Sequence, residues 1–220
     1  MQVQKKALFI AVFLAMVLTI TSVTGYYWYK RVNFVETDNA SVTGTLVRVS
    51  PQVTGKIIEL YVEEGDTVRA GEVIARLDDA VLPVTTSVNL TVVKAPISGA
   101  ILRKAGNVGE TATPGSPIVI MSDLDDLHVV ANVDETDLYK VKPGQKADLT
   151  IDGIPGVKFS GEVFSLGVAT NSEFSLLPSS NTSGSYTKVV QNVPVKISID
   201  DPMGYRLLPG MNVFVRIYIK

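Results

Sequence analysis

The sequence predicts a mainly β protein: an N-terminal transmembrane helix, then a β-sandwich assembled from two half-motifs, then a small β-barrel. Three observations predict this fold class: an uncharged N-terminal stretch, a glycine spacing that occurs twice, and a C-terminal part in which short β-rich runs alternate with turn residues. The predicted segments are 1–6 in the cytoplasm, 7–29 as the helix, 30–45 as a linker with a first barrel-associated strand, 46–124 as the sandwich and 125–220 as the barrel.

The stretch 7–29 carries no charged side chain. At about 1.5 Å per residue, its 23 residues can cross the hydrocarbon layer with some tilt. Lys5 and Lys6 precede it, the aromatic residues 26–29 form an interfacial cluster at its end, and Lys30 and Arg31 follow. The pattern predicts one crossing of the inner (cytoplasmic) membrane, with the N-terminus inside and the bulk of the chain periplasmic or extracytoplasmic.

A cleaved signal peptide is the alternative interpretation of the same stretch. Residues 8–20 would be its apolar region, and the small residues around 22–25 would be its processing site. A retained anchor is favoured because the aromatic cluster would have no reason to follow a discarded peptide directly, and because no alanine-type cleavage pair is present.

The glycine spacing divides the next segment into two matching halves, 46–78 and 92–124. In each half the three glycines are separated by ten and then six residues, with short β-rich runs between them. Glycine adopts positive φ without a Cβ clash, so these positions permit the tight turns that reverse short strands. Each half is too small to bury its own apolar face, and the two are expected to close on each other as a sandwich. The turn glycines are Gly55, Gly65, Gly71, Gly99, Gly109 and Gly115.

Composition excludes several functional classes. A net charge of −2 offers no basic excess for nucleic acid, and the absence of cysteine removes thiolate chemistry and disulfides. The single histidine, His128, lies in an apolar run typical of a strand, so neither a histidine-rich metal site nor a triad can form. No P-loop motif occurs. We therefore expect no catalytic residue, no metal and no cofactor.

The C-terminal part predicts a barrel with strands at 157–166, 187–199 and 212–219. The stretch 34–49 is expected to be a strand that links the helix to the first half-motif, with 42–49 adding to the barrel. Asp134 is expected to cap a short helix with its carboxylate. The spacing of Asp134, Glu135 and Asp137 matches no calcium loop, so a solvated helix start is the better explanation. The polar segment 170–185 is expected to be a mobile connection between strands.

The two half-motifs, which read SPQVTGKIIELYVEEGDTVRAGEVIARLDD and APISGAILRKAGNVGETATPGSPIVIMSD, resemble the biotinyl/lipoyl carrier fold. They are most similar to its split form in the HlyD-type membrane fusion proteins, the periplasmic adaptors. The stretches YTKVVQNVPVKISIDD and LLPGMNVFVRIYI resemble the C-terminal barrel of that family, particularly its EmrA-like branch. The resemblance covers nearly the whole chain after the helix.

The join between the halves, 79–91, departs from both patterns. A carrier domain needs a modifiable lysine at this tip, and the nearest lysine, Lys94, lies in the following strand. The family's helical hairpin is also missing, because an arm of about 50 Å needs roughly 33 residues in each direction. The apolar residues of the join form either a partner-contact tip or a loop folded back on the sandwich. They are Val81, Leu82, Val84, Val88 and Leu90.

The resemblance implies a non-enzymatic adaptor subunit of an export system, for multidrug efflux or secretion. It implies docking on an inner-membrane transporter, of the major-facilitator type rather than the ABC type, and assembly into a homo-oligomer, a trimer or hexamer. The missing hairpin argues against direct contact with an outer-membrane channel. Two other classes stay open: a membrane-anchored envelope binding module without a pump, and a biotin or lipoyl carrier, which an acylated lysine would reveal.

Overall fold

In the computed structural model the described residues are 2–78, 88–170 and 190–219, and side chains are described from residue 13 onward, except those of 88 and 89. There are two α-helices, α1 (Gln2–Asn33) and α2 (Glu135–Leu138), and a 3₁₀-helix (Val88–Thr91). The strands are β1 (Phe34–Thr37), β2 (Ala40–Thr43), β3 (Leu46–Val49), β4 (Gly55–Leu60), β5 (Thr67–Val68), β6 (Val73–Leu77), β7 (Val92–Lys94), β8 (Gly99–Lys104), β9 (Thr111–Ala112), β10 (Val119–Ser122), β11 (His128–Asp134), β12 (Lys146–Ile151), β13 (Phe159–Leu166), β14 (Asn192–Ser198) and β15 (Val213–Tyr218).

These elements form two compact units, each with its own sheets. One unit contains a sandwich and consists of Val42–His128 and Met203–Met211. The other contains the helix α1 and a seven-stranded sheet, and consists of Met1–Ser41, Val129–Pro202 and Asn212–Lys220. Three strands, β1, β2 and β3, occupy the stretch 34–49, where the sequence predicted one. The expectation that 42–49 adds to the barrel is wrong for 46–49, because β3 pairs with β10 in the sandwich, whereas β2 belongs to the barrel sheet.

The sandwich has two four-stranded sheets, ordered β3-β10-β8-β5 and β7-β6-β4-β9. Each sheet contains strands from both half-motifs, so neither half folds as a separate layer. Replacing every strand by its counterpart in the other half converts the first order into the second. The halves therefore interlock around a pseudo-two-fold axis, which buries the apolar face of each half against the other.

Backbone hydrogen bonds follow the same symmetry, because equivalent residues of the two halves are 44 positions apart. The amide of Gly65 donates to the carbonyl of Ile101 at 2.8 Å, and the amide of Gly109 donates to the carbonyl of Ile57 at 2.7 Å. Two further equivalent pairs run from Ile57 to Glu110 and from Ile101 to Asp66, both at 2.8 Å. The sequence repeat is thus a structural repeat at the level of individual backbone groups.

The sandwich core is aliphatic. Ile57, Ile74, Ile101 and Ile118 are each at most 1% exposed, and they occupy two equivalent pairs of positions in the halves. Burying side chains of this size stabilises the fold by roughly 1.5–3 kcal/mol each.

The barrel sheet has the order β1-β15-β12-β13-β14-β11-β2. Its two end strands, β1 and β2, follow each other in the chain with only Asp38 and Asn39 between them, and a bridge from Ser41 to Asn212 helps to close the sheet into a nearly complete barrel. Burial alternates along the strands, as in β12, where every second residue is buried. The buried residues of β11, β12 and β15 are Val129, Ala131, Val133, Ala147, Leu149, Ile151, Val213, Val215 and Ile217.

The strands predicted at 157–166 and 212–219 appear as β13 and β15, and β14 lies within the strand predicted at 187–199. Residues 187–189 and most of the polar segment 170–185 lie outside the described residues. The expected carboxylate cap of α2 is wrong: Asp134 occupies the N-cap position, but its side chain makes no hydrogen bond there. The amide of Glu135, the first residue of α2, donates to the carbonyl of Gln191 at 2.9 Å.

The helix α1 runs for 32 residues and continues to Asn33, four residues beyond the predicted end of the span. Within the part of the chain whose side chains are described, no helix is both long enough and apolar enough to cross a membrane. The first residues of the predicted span, 7–12, lie outside that part.

Candidate partner-contact surfaces

The six predicted turn glycines occupy two kinds of position. Four of them, Gly65, Gly71, Gly109 and Gly115, lie in turns with φ between +86° and +94°. The other two open strands: Gly55 begins β4 and Gly99 begins β8. A Cβ at Gly99 would lie 2.3 Å from the carbonyl oxygen of Ser122, so close backbone approach requires glycine there.

Acidic residues after the turn glycines hold the turns, a role that the sequence reasoning missed. Asp66 accepts from the amide of Glu63 at 2.8 Å, and the equivalent Glu110 accepts from the amide of Asn107 at 3.0 Å. Side-chain and backbone hydrogen bonds from Asn107 lower the pKa of Glu110. The sequence carried the signal, because an acidic residue follows the second glycine of both halves.

Only the C-terminal end of the candidate partner-contact loop, from Val88 onward, lies within the described residues. Val81, Leu82 and Val84 lie outside the described residues. Val88 and Leu90 belong to the 3₁₀-helix, in which Leu90 is partly buried, and the adjacent Thr91 is only 1% exposed. The end of the join is thus attached to the sandwich.

One outer face of the sandwich is basic. Arg48 on β3 and Arg103 on β8 both lie opposite Ile120 on β10, and both arginines are exposed. Side chains directly opposite each other are about 5 Å apart, so the two guanidinium groups straddle Ile120 on one surface. Within the described residues neither arginine has an ion-pair partner. This basic face is suited to an acidic partner surface.

Charged and aromatic side chains cover the outer face of the barrel along β1, β15 and β12. Glu36 pairs with Arg216 at 2.6 Å and with Lys30 at 2.7 Å, and Arg216 lies over the ring of Phe34 at 5.5 Å. Partial burial opposes ionisation of Glu36, but hydrogen bonds from Lys30 and Arg216 outweigh it and lower the pKa of its carboxyl. The hydrogen bond with Glu36 likewise raises the pKa of Arg216.

Beside this face, a groove of about 590 Å³ lies between β12, β13 and β15. The hydroxyl of Tyr218 donates to Asp148 at 2.7 Å at its rim, which raises the pKa of the phenol. The groove is lined by both basic and acidic side chains, including Lys146 and Asp200. Its charges therefore favour neither an anionic nor a cationic ligand.

The acidic cluster at 134–137 lies where β11 ends and α2 begins. Asp134 and Asp137 share a small polar pocket of about 190 Å³ with Glu36 and Asp38. His128 is the first residue of β11, at the edge of the barrel sequence. Among the described residues no group of three or more acidic or histidine side chains is placed to hold a metal ion.

Two family models match consecutive parts of the chain. The barrel-sandwich hybrid domain of RND membrane fusion proteins matches residues 45–123, and the YknX-like β-barrel domain matches residues 127–217. The first match contains the sandwich strands β3–β10 and the second runs from β11 into β15, whereas the barrel strands β1 and β2 lie before both matches.

Among curated proteins, YhbJ of Bacillus subtilis, named as an efflux system component, is 38% identical over 204 residues, covering 93% of this chain and 88% of its own length. The multidrug export protein EmrA of Escherichia coli is 35% identical over 126 residues, covering 56% of this chain and 32% of its own length. The colistin resistance protein EmrA of Acinetobacter baumannii is also 35% identical, and this chain spans 36% of it. The chain therefore spans about a third of the EmrA relatives and most of YhbJ.

Solved structures agree on the fold. The periplasmic adaptor protein EmrA aligns over 84% of this chain and 98% of its own, with a TM-score of 0.56 and 16% identity. A MacA–MexA chimeric protein aligns over 86% of this chain and 82% of its own, with a TM-score of 0.66 and 20% identity. With a relative at 38% identity over nearly its full length, and with both domain models matched in order, the chain belongs to the membrane fusion proteins, the non-enzymatic adaptors of efflux systems.

Proposed function

We propose that this chain is the membrane-anchored adaptor of an export pump and docks on an inner-membrane transporter of the major-facilitator type. The observation that carries the proposal is the order of parts in one chain: an uncharged stretch at 7–29, then the barrel-sandwich, then the barrel. The relatives named as multidrug export proteins support the export role, and the similarity to EmrA supports the choice of transporter class.

The proposed location is the cytoplasmic membrane, with a single crossing and the N-terminus inside. The support comes from the sequence: 23 residues without charge, followed by four consecutive aromatic residues and then by Lys30 and Arg31. The side chains of Tyr26, Tyr27, Trp28 and Tyr29 are each more than 60% exposed. Four consecutive residues point in four directions around a helix, so they form an aromatic belt of the kind that lies at a membrane surface.

The proposed mechanism is assembly of a conduit, with energy supplied by the transporter. We propose a homo-oligomer that associates through sheet faces, because all four edge strands of the sandwich are short: β5 and β9 have two residues each, β7 has three and β3 has four. Edges this short give few backbone groups for pairing with another copy. The basic face around Arg48 and Arg103 is the surface that we assign to this contact.

The test is recovery of a partner from native membranes. The full-length chain, extracted in mild detergent with a C-terminal tag, should bring down a polytopic transporter in stoichiometric amount, identified by mass spectrometry. Loss of the transporter on replacing Val81, Leu82 and Val84 by serine would assign the docking contact to the loop. These substitutions leave the buried Thr91 untouched. The matched control is Val108→Ser, which alters an exposed valine at a sandwich turn.

Two outcomes separate the general proposal from the role of the loop. If the serine variant still recovers the transporter, the loop is not the docking contact and the adaptor function stands. If no transporter is recovered even after crosslinking, the export function fails, and an anchored envelope binding module becomes the better account.

A further inference from the structure

The junction between the helix α1 and the barrel contains no linker. The helix ends at Asn33, and β1 begins at Phe34. The carbonyl of Asn33 accepts a hydrogen bond from the amide of Ile219 at 3.0 Å, which attaches the end of the helix to the end of the last strand. A chain that changes from helix to strand at one residue can bend there through few dihedral angles, so side-chain contacts decide the direction of the helix.

The carboxylate of Glu36 bridges the two elements. Its Oε2 contacts Nζ of Lys30, in the last turn of the helix, at 2.7 Å, and its Oε1 contacts Nε of Arg216, on β15, at 2.6 Å. Each oxygen is used by a different cation, and the side chain of Glu36 is only 22% exposed. Without this carboxylate, the positive charges of Lys30 and Arg216 would face each other across the junction and repel.

Aromatic contacts constrain the same junction from a second direction. The ring of Phe34 packs edge-on against Tyr29 of the helix, with centroids 6.4 Å apart, and against Tyr218 of β15, with centroids 5.2 Å apart. Tyr29 and Lys30 are about 100° apart around the helix axis. Contacts at both residues therefore oppose rotation of the helix about its axis as well as a change in its tilt.

We propose that Glu36 is a positioning residue that fixes the direction and rotation of the N-terminal helix relative to the barrel, through Lys30 on the helix and Arg216 on β15. The inference does not depend on the transporter or on the export role. It has a consequence for any partner, because a barrel clamped to its helix presents one fixed face along that helix. An unclamped barrel would sample many orientations.

The absence of cysteine permits a clean distance measurement on the full chain. Spin labels at Ser22→Cys on the helix and Lys196→Cys on β14, both exposed positions of one compact unit, report the helix–barrel distance by pulsed electron resonance in detergent or bilayer discs. The doubly labelled chain with no other substitution should give one narrow distance distribution. Glu36→Gln should broaden it by about twofold or more, because a released helix populates several orientations.

Two further variants keep the inference falsifiable. Lys30→Met removes the helix side of the bridge and leaves the Glu36–Arg216 pair intact, so the barrel keeps its own contact; it should broaden the distribution in the same way. Glu162→Gln, which changes an exposed carboxylate on β13, is the matched control and should leave the width unchanged. If Glu36→Gln fails to fold, Lys30→Met decides. A narrow distribution in Lys30→Met, or in a folded Glu36→Gln, overturns the inference.

Discussion

At the scale of single residues, glycine serves two physical purposes in the sandwich. At Gly109 the backbone has φ of +94°, which an L-residue with a side chain rarely adopts, although the space around it is open. At Gly99 the obstacle is a neighbouring strand, since a Cβ would meet the backbone of Ser122 at 2.3 Å. The first constraint is conformational and the second is steric, so they predict different costs.

We expect Gly109→Ala to destabilise the sandwich by about 1–2 kcal/mol, the usual cost of a left-handed conformation for alanine. Gly99→Ala should cost more, because the backbone of β10 must move to admit the methyl group. Chemical denaturation of the full chain in detergent measures both, with wild type as the reference. Equal losses for the two variants would contradict the distinction.

Glu36 predicts a specific dependence on pH. Its pKa is lowered in the folded state, so the stabilisation that it provides is present above the unfolded-state pKa and is lost as the pH falls through the folded-state pKa. The melting-temperature difference between wild type and Glu36→Gln should therefore be largest near neutral pH and should shrink in acid. The comparison cancels other groups that titrate equally in both proteins. A difference that is constant from neutral to acid pH would contradict the ion-pair role.

At the scale of elements, the two half-motifs act as one cooperative unit because both sheets of the sandwich contain strands from each half. Ile74 on β6 and Ile118 before β10 occupy equivalent positions, and both are fully buried. A cavity made at either position opens the same core, which the interlocked strands cannot easily collapse.

We expect Ile74→Ala and Ile118→Ala to destabilise the chain by similar amounts, about 2–5 kcal/mol each. The matched control, Ile58→Ala, removes a side chain that is 42% exposed and should cost much less. Thermal or chemical unfolding of the three variants provides the comparison. A large loss for one buried isoleucine and almost none for the other would show that the halves do not share a core.

At the scale of the whole molecule, acidic and basic side chains of the sandwich occupy different parts of its surface. The described acidic side chains of the sandwich lie mainly in turns, such as Glu63, Asp66 and Glu110, while Arg48 and Arg103 stand on an exposed sheet face. In the homo-oligomer that we propose, this basic face lies against acidic turns of a neighbouring copy, so charge attraction rather than edge-strand pairing would hold the copies together.

We expect the double variant Arg48→Glu, Arg103→Glu to shift the detergent-solubilised chain from oligomer to monomer, because it replaces attraction by repulsion at the proposed contact. Native mass spectrometry or light scattering measures the change. Lys142→Glu, at an exposed position next to a barrel turn, is the matched control and should leave the oligomer intact. An unchanged mass in the double variant would place the contact elsewhere.

Much of the fold could be predicted because the relevant signals are local. Alternating burial in β12 and β13, and the turns at Gly65 and Gly109, follow from residue type and spacing. The carboxylate cap expected at Asp134 does not form, and the acceptor that the first helical amide does find, the carbonyl of Gln191, comes from a segment distant in the sequence. The clamp at Glu36 could not be predicted, since Lys30 and Arg216 are 186 positions apart in the sequence.

The sequence by itself determined the mainly β class, the repeat of two half-motifs, the join too short for a helical hairpin and the resemblance that led to the family. Each of these depends on spacing and composition along the chain. Only the tertiary structure decided that the halves exchange strands between sheets, that β1 and β2 complete the barrel, and that Glu36 joins the first helix to the last strand. These features arise from contacts between distant segments, which local propensity does not encode.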